Sequence, residues 1–126
     1  MAPRPYPETV LVVDDTEFMR KTLGDLLADE GYRVLTASNG PEALEVYERE
    51  LPDLVTLDIV MPQMDGLEVL RRLREMDPAA KVIVVSAVGL EAQVMEAIRG
   101  GARNYVLKPV DPDKVRQAVR RLLDEY

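Results

Sequence analysis

The sequence predicts an α/β fold built on one doubly wound sheet, with five parallel strands and five helices. Five short apolar runs alternate with five segments of helical pattern, which is typical of successive βα units. The runs lie near residues 9–13, 33–37, 54–57, 82–85 and 104–107, and the helical segments lie near residues 17–30, 41–50, 66–76, 90–100 and 112–125. At 126 residues the chain has the length of one domain that folds without metal or disulfide.

The first two units carry recognisable helix starts. Asp14, Asp15 and Thr16 follow the first apolar run. Aspartate and threonine both favour the N-terminus of a helix, where the helix dipole is positive. Pro41 suits the first position of the second helix, because the N–H group that proline lacks has no partner there. One interpretation of the two aspartates is therefore simple helix capping.

The last three units are marked by turns and by one clear amphipathic helix. Asp65 and Gly66 suit the turn into the third helix, and Pro78 follows its end. Ser86 could cap the fourth helix. The fifth helix shows an apolar stripe at helical spacing, formed by Val115, Ala118, Val119, Leu122 and Leu123.

Polar residues at the strand ends favour the flavodoxin-like strand order 2-1-3-4-5. The segment after strand 2, residues 37–40, carries no charged residue, whereas the other four strands each end in a polar residue. Strand 2 would then lie at the edge of the sheet. The chemistry would be centred between strands 1 and 3, where the direction of winding changes.

Composition excludes several classes of function. The chain has 16 Lys and Arg against 23 Asp and Glu, a net charge of −7, which disfavours direct binding to nucleic acids or anionic membranes. It has no Cys and no His, which excludes thiol nucleophiles, thiolate metal sites and a Ser-His-Asp triad. A metal here would be a hard ion held by oxygen ligands.

The ends of the chain and its longest apolar runs indicate a cytoplasmic protein. Residues 1–7 contain three prolines and are expected to form a flexible tail rather than a signal sequence. The apolar runs are far shorter than the roughly 20 residues needed to span a bilayer. We expect no membrane insertion.

Five polar side chains are predicted to meet at one rim of the sheet: Asp14, Asp15, Asp58, Ser86 and Lys108. Three carboxylates this close would repel one another unless a cation lay among them, and a divalent ion would satisfy them. A lysine and a hydroxyl facing the carboxylates suit a transferred phosphoryl group, whose charge is stabilised by positioned cations and hydrogen bonds. Taken singly, Lys108-Pro109 could instead be an ordinary loop turn.

Four sequence blocks carry a family resemblance: VLVVDDT, DLVTLDIVMPQMDG, VIVVSA and GARNYVLKP. In this order and spacing they resemble the receiver domain of two-component response regulators, over essentially all of residues 8–126. The sequences around the first and third blocks are most similar to single-domain chemotaxis regulators. We expect no output domain after the fifth helix and therefore expect output by docking to another protein.

The resemblance implies a role for each rim residue. Asp58 would be the phosphoacceptor, and Asp14, Asp15, Asp58 and the backbone carbonyl of Val60 would hold Mg²⁺ or Mn²⁺, with Asp14 acting through water. Lys108, Ser86 and the adjacent Ala87 would bind the phosphoryl group, and the Lys108-Pro109 peptide would be cis. Tyr105 would move inward on phosphorylation and reshape the face of helix 4, strand 5 and helix 5.

The resemblance also implies partners and leaves alternatives open. A sensor histidine kinase would donate the phosphoryl group, a flagellar motor switch component would be the target, and a phosphatase would end the signal. Phe18 and Met19 are candidate exposed contacts for the kinase or the phosphatase, and core packing is expected to account for at least one of them. The alternatives are a stand-alone phosphorelay receiver, an aspartyl-phosphate phosphohydrolase, a scaffolding pseudo-receiver and a dinucleotide-binding domain. The hydrolase would need an Asp-x-Asp pair after strand 1. The dinucleotide-binding domain would need a Gly-rich loop at the same place.

Two valines depart from the polar residues that the family commonly uses to tune the attacking water. Val60 and Val88 stand two positions beyond Asp58 and Ser86, and neither side chain can hydrogen-bond. We therefore expect slow self-dephosphorylation.

Overall fold

The structure, a computed structural model, describes residues 7–124. The strands are β1 (Thr9–Val13), β2 (Arg33–Ala37), β3 (Leu54–Leu57), β4 (Val82–Ser86) and β5 (Asn104–Leu107). The helices are α1 (Glu17–Asp29), α2 (Gly40–Glu50), α3 (Gly66–Met76), α4 (Glu91–Arg99) and α5 (Pro112–Leu123). Strands and helices alternate throughout, as predicted.

All five strands are parallel and lie in the order β2-β1-β3-β4-β5. The predicted fold class and strand order are confirmed. Val13 pairs with Leu57, and Leu57 pairs with Val84, so the carboxyl ends of the three central strands lie level with one another. This register determines which loop residues meet above the sheet.

The predicted boundaries differ from the observed ones by one or two residues, within the usual uncertainty of helix ends. Strand β4 includes Ser86, and α4 begins at Glu91 rather than residue 90. Helix α5 ends at Leu123, and residue 125, where its predicted end falls, lies outside the described residues. Residues 1–6 of the predicted tail also lie outside them.

Two apolar layers cover the two faces of the sheet. One lies under α2, α3 and α4 and includes Leu11, Leu57 and Leu73; the other lies under α1 and α5 and includes Val12, Leu27 and Val119. The buried strands β1, β3 and β4 contribute to both layers, because successive side chains point to opposite faces. These strands form a rigid base for the loops at their carboxyl ends.

The helices differ in how firmly they are anchored. Helix α3 buries Gly66, Val69, Leu70 and Leu73, and α5 also buries four residues. Helix α4 lies wholly in the described part of the chain and buries Ala97 alone. Its N-cap, Leu90, supplies no side-chain hydrogen bond, unlike the Asn39 and Asp65 caps of α2 and α3. Helix α4 is therefore weakly held.

Across residues 7–124, every helix lacks the length and hydrophobicity that a membrane span requires.

Thr56 is a buried polar residue in the middle of β3. It is 1% exposed, and its Oγ1 has no hydrogen-bond partner among the residues described. We expect Thr56→Val to raise the free energy of unfolding by about 1 kcal/mol, because an unpaired buried hydroxyl is replaced by a methyl group of similar size. Thr56→Ser keeps the hydroxyl, loses a methyl group and should destabilise by about 1 kcal/mol. Urea unfolding midpoints measure both, and a Val variant no more stable than wild type would contradict the prediction.

Candidate functional site

The rim residues converge because the central strands end level with one another. The Asp58 N–H group donates to the Val13 carbonyl at 3.0 Å, which places Asp58 beside Asp14. The Lys108 N–H group donates to the Ser86 carbonyl at 2.8 Å, which joins the ends of β5 and β4. The structure thus brings together residues that are up to 94 positions apart in the sequence.

Lys108 lies between two buried carboxylates. Its Nζ is 2.8 Å from Oδ2 of Asp14 and 3.0 Å from Oδ2 of Asp58. The side chains of Asp14 and Asp58 are 1% and 6% exposed, and that of Lys108 is 17% exposed. The ammonium group is therefore the cation that offsets the expected repulsion between these two acids.

The protonated form of Lys108 is favoured by these contacts. Burial by itself would lower the pKa of the ammonium group. The hydrogen bonds to Asp14 and Asp58 and the charges of both carboxylates outweigh burial and raise the pKa above its ordinary value of 10.5. Lys108 therefore stays charged at neutral pH.

The second oxygen of each buried carboxylate accepts hydrogen bonds from its own loop. Oδ1 of Asp14 accepts from both N and Oγ1 of Thr16 at 2.9 Å, and Oδ1 of Asp58 accepts from Val60 N at 3.0 Å. Thr16, rather than either aspartate, is the N-cap of α1. The capping interpretation is therefore wrong for Asp14 and Asp15, although Asp14 supports the residue that caps the helix.

Asp15 completes an acidic cluster at the rim. Its side chain is exposed, and one carboxylate oxygen from each of Asp14, Asp15 and Asp58 lies within 4.8 Å of the other two. Each carboxylate has several lone pairs, so Asp14 and Asp58 keep acceptor capacity beyond the bonds they already make. Oxygen donors of this kind are the ligands that Mg²⁺ prefers. The residues present fit a divalent ion.

Ser86 and Tyr105 lie on either side of the loop between β4 and α4. Ser86 is fully buried, and its Oγ accepts from Val88 N at 3.1 Å, so its interpretation as a cap of α4 is wrong. The Tyr105 hydroxyl donates to the Val88 carbonyl, and the ring is half-buried against the apolar layer. Ala87, between Ser86 and Val88, is exposed. The Lys108-Pro109 peptide is cis.

A family model with the description "Response regulator receiver domain" matches residues 10–120. The chain belongs to this family. The sequence-based identification of a receiver domain is confirmed. Receivers are signalling switches, and an acidic cluster at the rim of the sheet is where they bind Mg²⁺.

Relatives of this receiver include chemotaxis proteins. Chemotaxis protein CheY of Thermotoga maritima is 45% identical over 114 residues, which are 90% of this chain and 95% of that protein. Sporulation initiation phosphotransferase F of Bacillus subtilis is 39% identical over 116 residues, 92% of this chain and 94% of that protein. A solved CheX-CheY-BeF3-Mg²⁺ complex from Borrelia burgdorferi matches with a TM-score of 0.91 and 39% identity, over 95% of this chain and 92% of that one.

Three residues of the receiver site were not among those predicted to have a role there. Thr16 binds the Asp14 carboxylate, Arg20 donates from Nη1 to the Asp14 carbonyl at 2.8 Å, and Gly66 lies against the backbone of Asp58. An Asp side chain commonly accepts a hydrogen bond from the residue two positions later. The contact between Asp14 and Thr16 could therefore have been predicted from the sequence. Arg20 and Gly66 act through contacts that the sequence pattern does not reveal.

Proposed function

We propose that this receiver is a phosphorylation-activated switch of the chemotaxis type and that Asp58 is its phosphoacceptor. The observation that carries the proposal is the contact of Lys108 Nζ with Asp14 and Asp58 at the rim where Asp15 joins the acidic cluster. A nucleophilic carboxylate, a cation aligned with it and further acids for a metal are the groups that transfer of a phosphoryl group requires. Asp58 also lies on a loop rather than inside a helix.

The proposed reaction forms an acyl phosphate on Asp58. A carboxylate oxygen of Asp58 forms a bond to phosphorus as the P–N bond of a kinase phosphohistidine breaks, and the electron pair of that bond remains on the imidazole. Asp14, Asp15, Asp58 and the Val60 carbonyl would hold Mg²⁺ or Mn²⁺, which supplies positive charge to the phosphoryl oxygens. Lys108 Nζ would move from its bridging position to contact one phosphoryl oxygen. The Ser86 hydroxyl would donate a hydrogen bond to a second phosphoryl oxygen, and Ala87, the next residue, would lie beside the phosphoryl group.

The proposed output is a change in the face formed by α4, β5 and α5. Withdrawal of Ser86 toward the phosphoryl group would pull on Val88 and reposition Tyr105, because both hydroxyl groups bond to the Val88 backbone. The face carries exposed apolar side chains on α4, on its N-cap residue and on β5, namely Met95, Ile98, Leu90 and Leu107. Exposed apolar groups of this kind suit a protein target, and we propose a component of the flagellar motor switch.

Two further partners are proposed. A sensor histidine kinase would supply the phosphoryl group, and a phosphatase would remove it. The Borrelia relative was solved in complex with a second protein, CheX, which supports a protein partner for this chain. Phe18, at the start of α1 beside the acidic cluster, is 75% exposed and offers an apolar contact next to the reacting group. The net charge of −7 disfavours a nucleic-acid partner. We also propose that the protein acts in the cytoplasm, because its apolar runs are too short to span a bilayer.

The test is incubation of the purified protein with a small phosphodonor and Mg²⁺, followed by intact-mass measurement. We expect one phosphoryl group per chain in wild type and none in Asp58→Asn, which keeps the size of the side chain but removes the nucleophilic carboxylate. Omission of Mg²⁺ should abolish labelling. Sustained release of phosphate would indicate a hydrolase instead, and no labelling of wild type would indicate a scaffold.

A phosphorelay receiver is the second candidate, favoured by the similarity to sporulation initiation phosphotransferase F. A relay component passes its phosphoryl group to a histidine of another protein, whereas a chemotaxis switch keeps it until hydrolysis. Mixing phosphorylated protein with histidine phosphotransfer domains distinguishes the two. Rapid transfer to one of them would favour the relay.

Val60 and Val88 are expected to slow loss of the phosphoryl group. Val60 is 57% exposed next to the reacting carboxylate, and its side chain cannot orient an attacking water. We expect Val60→Asn or Val88→Glu to speed hydrolysis of the acyl phosphate by on the order of tenfold, since a positioned polar group commonly contributes at least that much. The measurement is decay of the phosphorylated mass after removal of the donor. Decay in wild type as fast as in both variants would contradict this prediction.

A further inference from the structure

Arg20 reaches back from α1 to the loop that carries the two adjacent aspartates. Its Nη1 donates to the backbone carbonyl of Asp14 at 2.8 Å, across six residues. The backbone N–H group of Asp14 donates to the Ala37 carbonyl, at the end of β2, at 3.1 Å. The backbone of Asp14 is therefore held on one side by the sheet and on the other by a guanidinium group.

The Asp14 carbonyl belongs to the peptide that leads into Asp15. The Asp14 side chain is fixed by its own bonds to Thr16 and Lys108. The Asp15 carboxylate, by contrast, makes no hydrogen bond or ion pair with any of residues 7–124, which are the ones described. Its place in the acidic cluster is thus set by the backbone to which it is attached.

We propose that Arg20 is a positioning residue for the cation site, holding the Asp14–Asp15 peptide so that the Asp15 carboxylate faces Asp14 and Asp58. The inference rests on the proposed function, because it assigns Arg20 a role at the metal site of that proposal. Groups that orient metal ligands commonly contribute 10- to 100-fold in metal affinity. A guanidinium suits this role, since its planar donors give a directional bond to a carbonyl oxygen.

The positive charge of Arg20 makes the proposal sharply testable. Removing a cation near a Mg²⁺ site should strengthen Mg²⁺ binding if charge alone matters. Removing a positioning residue should weaken it. The two effects have opposite signs, so the direction of the change identifies the role.

The experiment measures binding of Mn²⁺ to metal-free protein by electron paramagnetic resonance of the free ion, and of Mg²⁺ by calorimetry. We expect Arg20→Met to raise the dissociation constant about tenfold. Arg20→Lys should raise it by at least as much, because its ammonium keeps the charge that repels the ion but bonds the carbonyl poorly. Lys21→Met is the matched control: it removes an exposed cation from the same helix, one that pairs with Asp25 on the surface. It should bind the ions like wild type or slightly more tightly.

A second comparison tests the route through Asp15. In an Asp15→Asn background, Arg20→Met should have little further effect on affinity, because the carboxylate that Arg20 positions is already lost. Unchanged or tighter binding by Arg20→Met in the wild-type background, even with a lower melting temperature, would overturn the proposal. So would a full tenfold loss in the Asp15→Asn background. If wild type itself bound neither ion, the metal site of the proposed function would fail, and this inference would fail with it.

Discussion

Gly66→Ala is expected to lower the free energy of unfolding by at least about 3 kcal/mol and to weaken metal binding at the same time. A Cβ at Gly66 would overlap the carbonyl oxygen of Asp58 and the Cα of Ile59, both of which are backbone atoms that cannot rotate away. The N–H group of Gly66 also donates to the Ile59 carbonyl at 2.9 Å, so the loop from Asp58 to Gly66 is closed tightly on itself. Relief of the overlap must move the backbone of the proposed phosphoacceptor.

Gly24→Ala is the matched control for this prediction. Gly24 lies inside α1, and an added Cβ would stand 3.6 Å from a methyl group of Val34, an ordinary contact. Alanine is the better helix former, so this variant should gain about 0.5–1 kcal/mol. Denaturant unfolding and Mg²⁺ calorimetry measure the pair. Equal stability of the two variants would show that the loop between β3 and α3 is far more compliant than its contacts imply.

Lys108→Met is expected to destabilise the metal-free protein by about 3 kcal/mol, because two buried carboxylates lose the cation between them. The same variant should bind Mg²⁺ more tightly, by on the order of tenfold, since the ammonium group competes for the charge of Asp14 and Asp58. Added Mg²⁺ should therefore restore much of the lost stability. Unfolding in the presence of a chelator and then in Mg²⁺ tests both parts.

Two controls define the contribution of the Lys108 ammonium. Lys114→Met removes an exposed lysine from α5 and should change neither stability nor Mg²⁺ affinity appreciably. In an Asp14→Asn background the cost of Lys108→Met should shrink, because one buried charge is already gone. An undiminished cost there would contradict the bridging role of the ammonium.

The pH dependence of the Lys108 contribution follows from its raised pKa. A group whose pKa is higher in the folded state stabilises that state fully below its unfolded pKa. The difference in stability between wild type and Lys108→Met should thus be constant up to about pH 10 and fall as the pH rises through the higher pKa of the folded state. A difference that declined between pH 6 and pH 8 would point to another group.

The order of the strands could be predicted from the sequence because the pattern along the chain determines it. Each apolar run was short, and each was followed by a helical segment. The end of strand 2 was the one that supplied none of the predicted rim residues, which marked β2 as an edge strand. The meeting of Asp14, Asp58 and Lys108 was predictable for a related reason. Side chains that follow parallel strands meet at the same edge of the sheet, whatever lies between them in sequence.

The remaining features depend on distances that no pattern encodes. The closeness of Gly66 to Asp58 follows from how the β3–α3 loop folds back, and the bond from Arg20 to the Asp14 carbonyl follows from the reach of one side chain. The start of α4 was placed one residue early because the segment lacks a capping side chain to mark it. The unpaired hydroxyl of Thr56 looks like any β-branched strand residue until the packing around it is known.

Because α4 is weakly held, the free energy that phosphorylation would have to supply to move it is small. Shifting a helix costs free energy in proportion to the apolar surface it uncovers. Helix α4 has only Ala97 buried, with Met95 and Ile98 each 42% exposed, so it would uncover less than α3 or α5, which bury four residues each. Two placements of this helix can then differ by a small free energy and exchange readily at ambient temperature. In the proposed switch, a modest chemical signal at the rim of the sheet would be enough to redistribute the molecules between them.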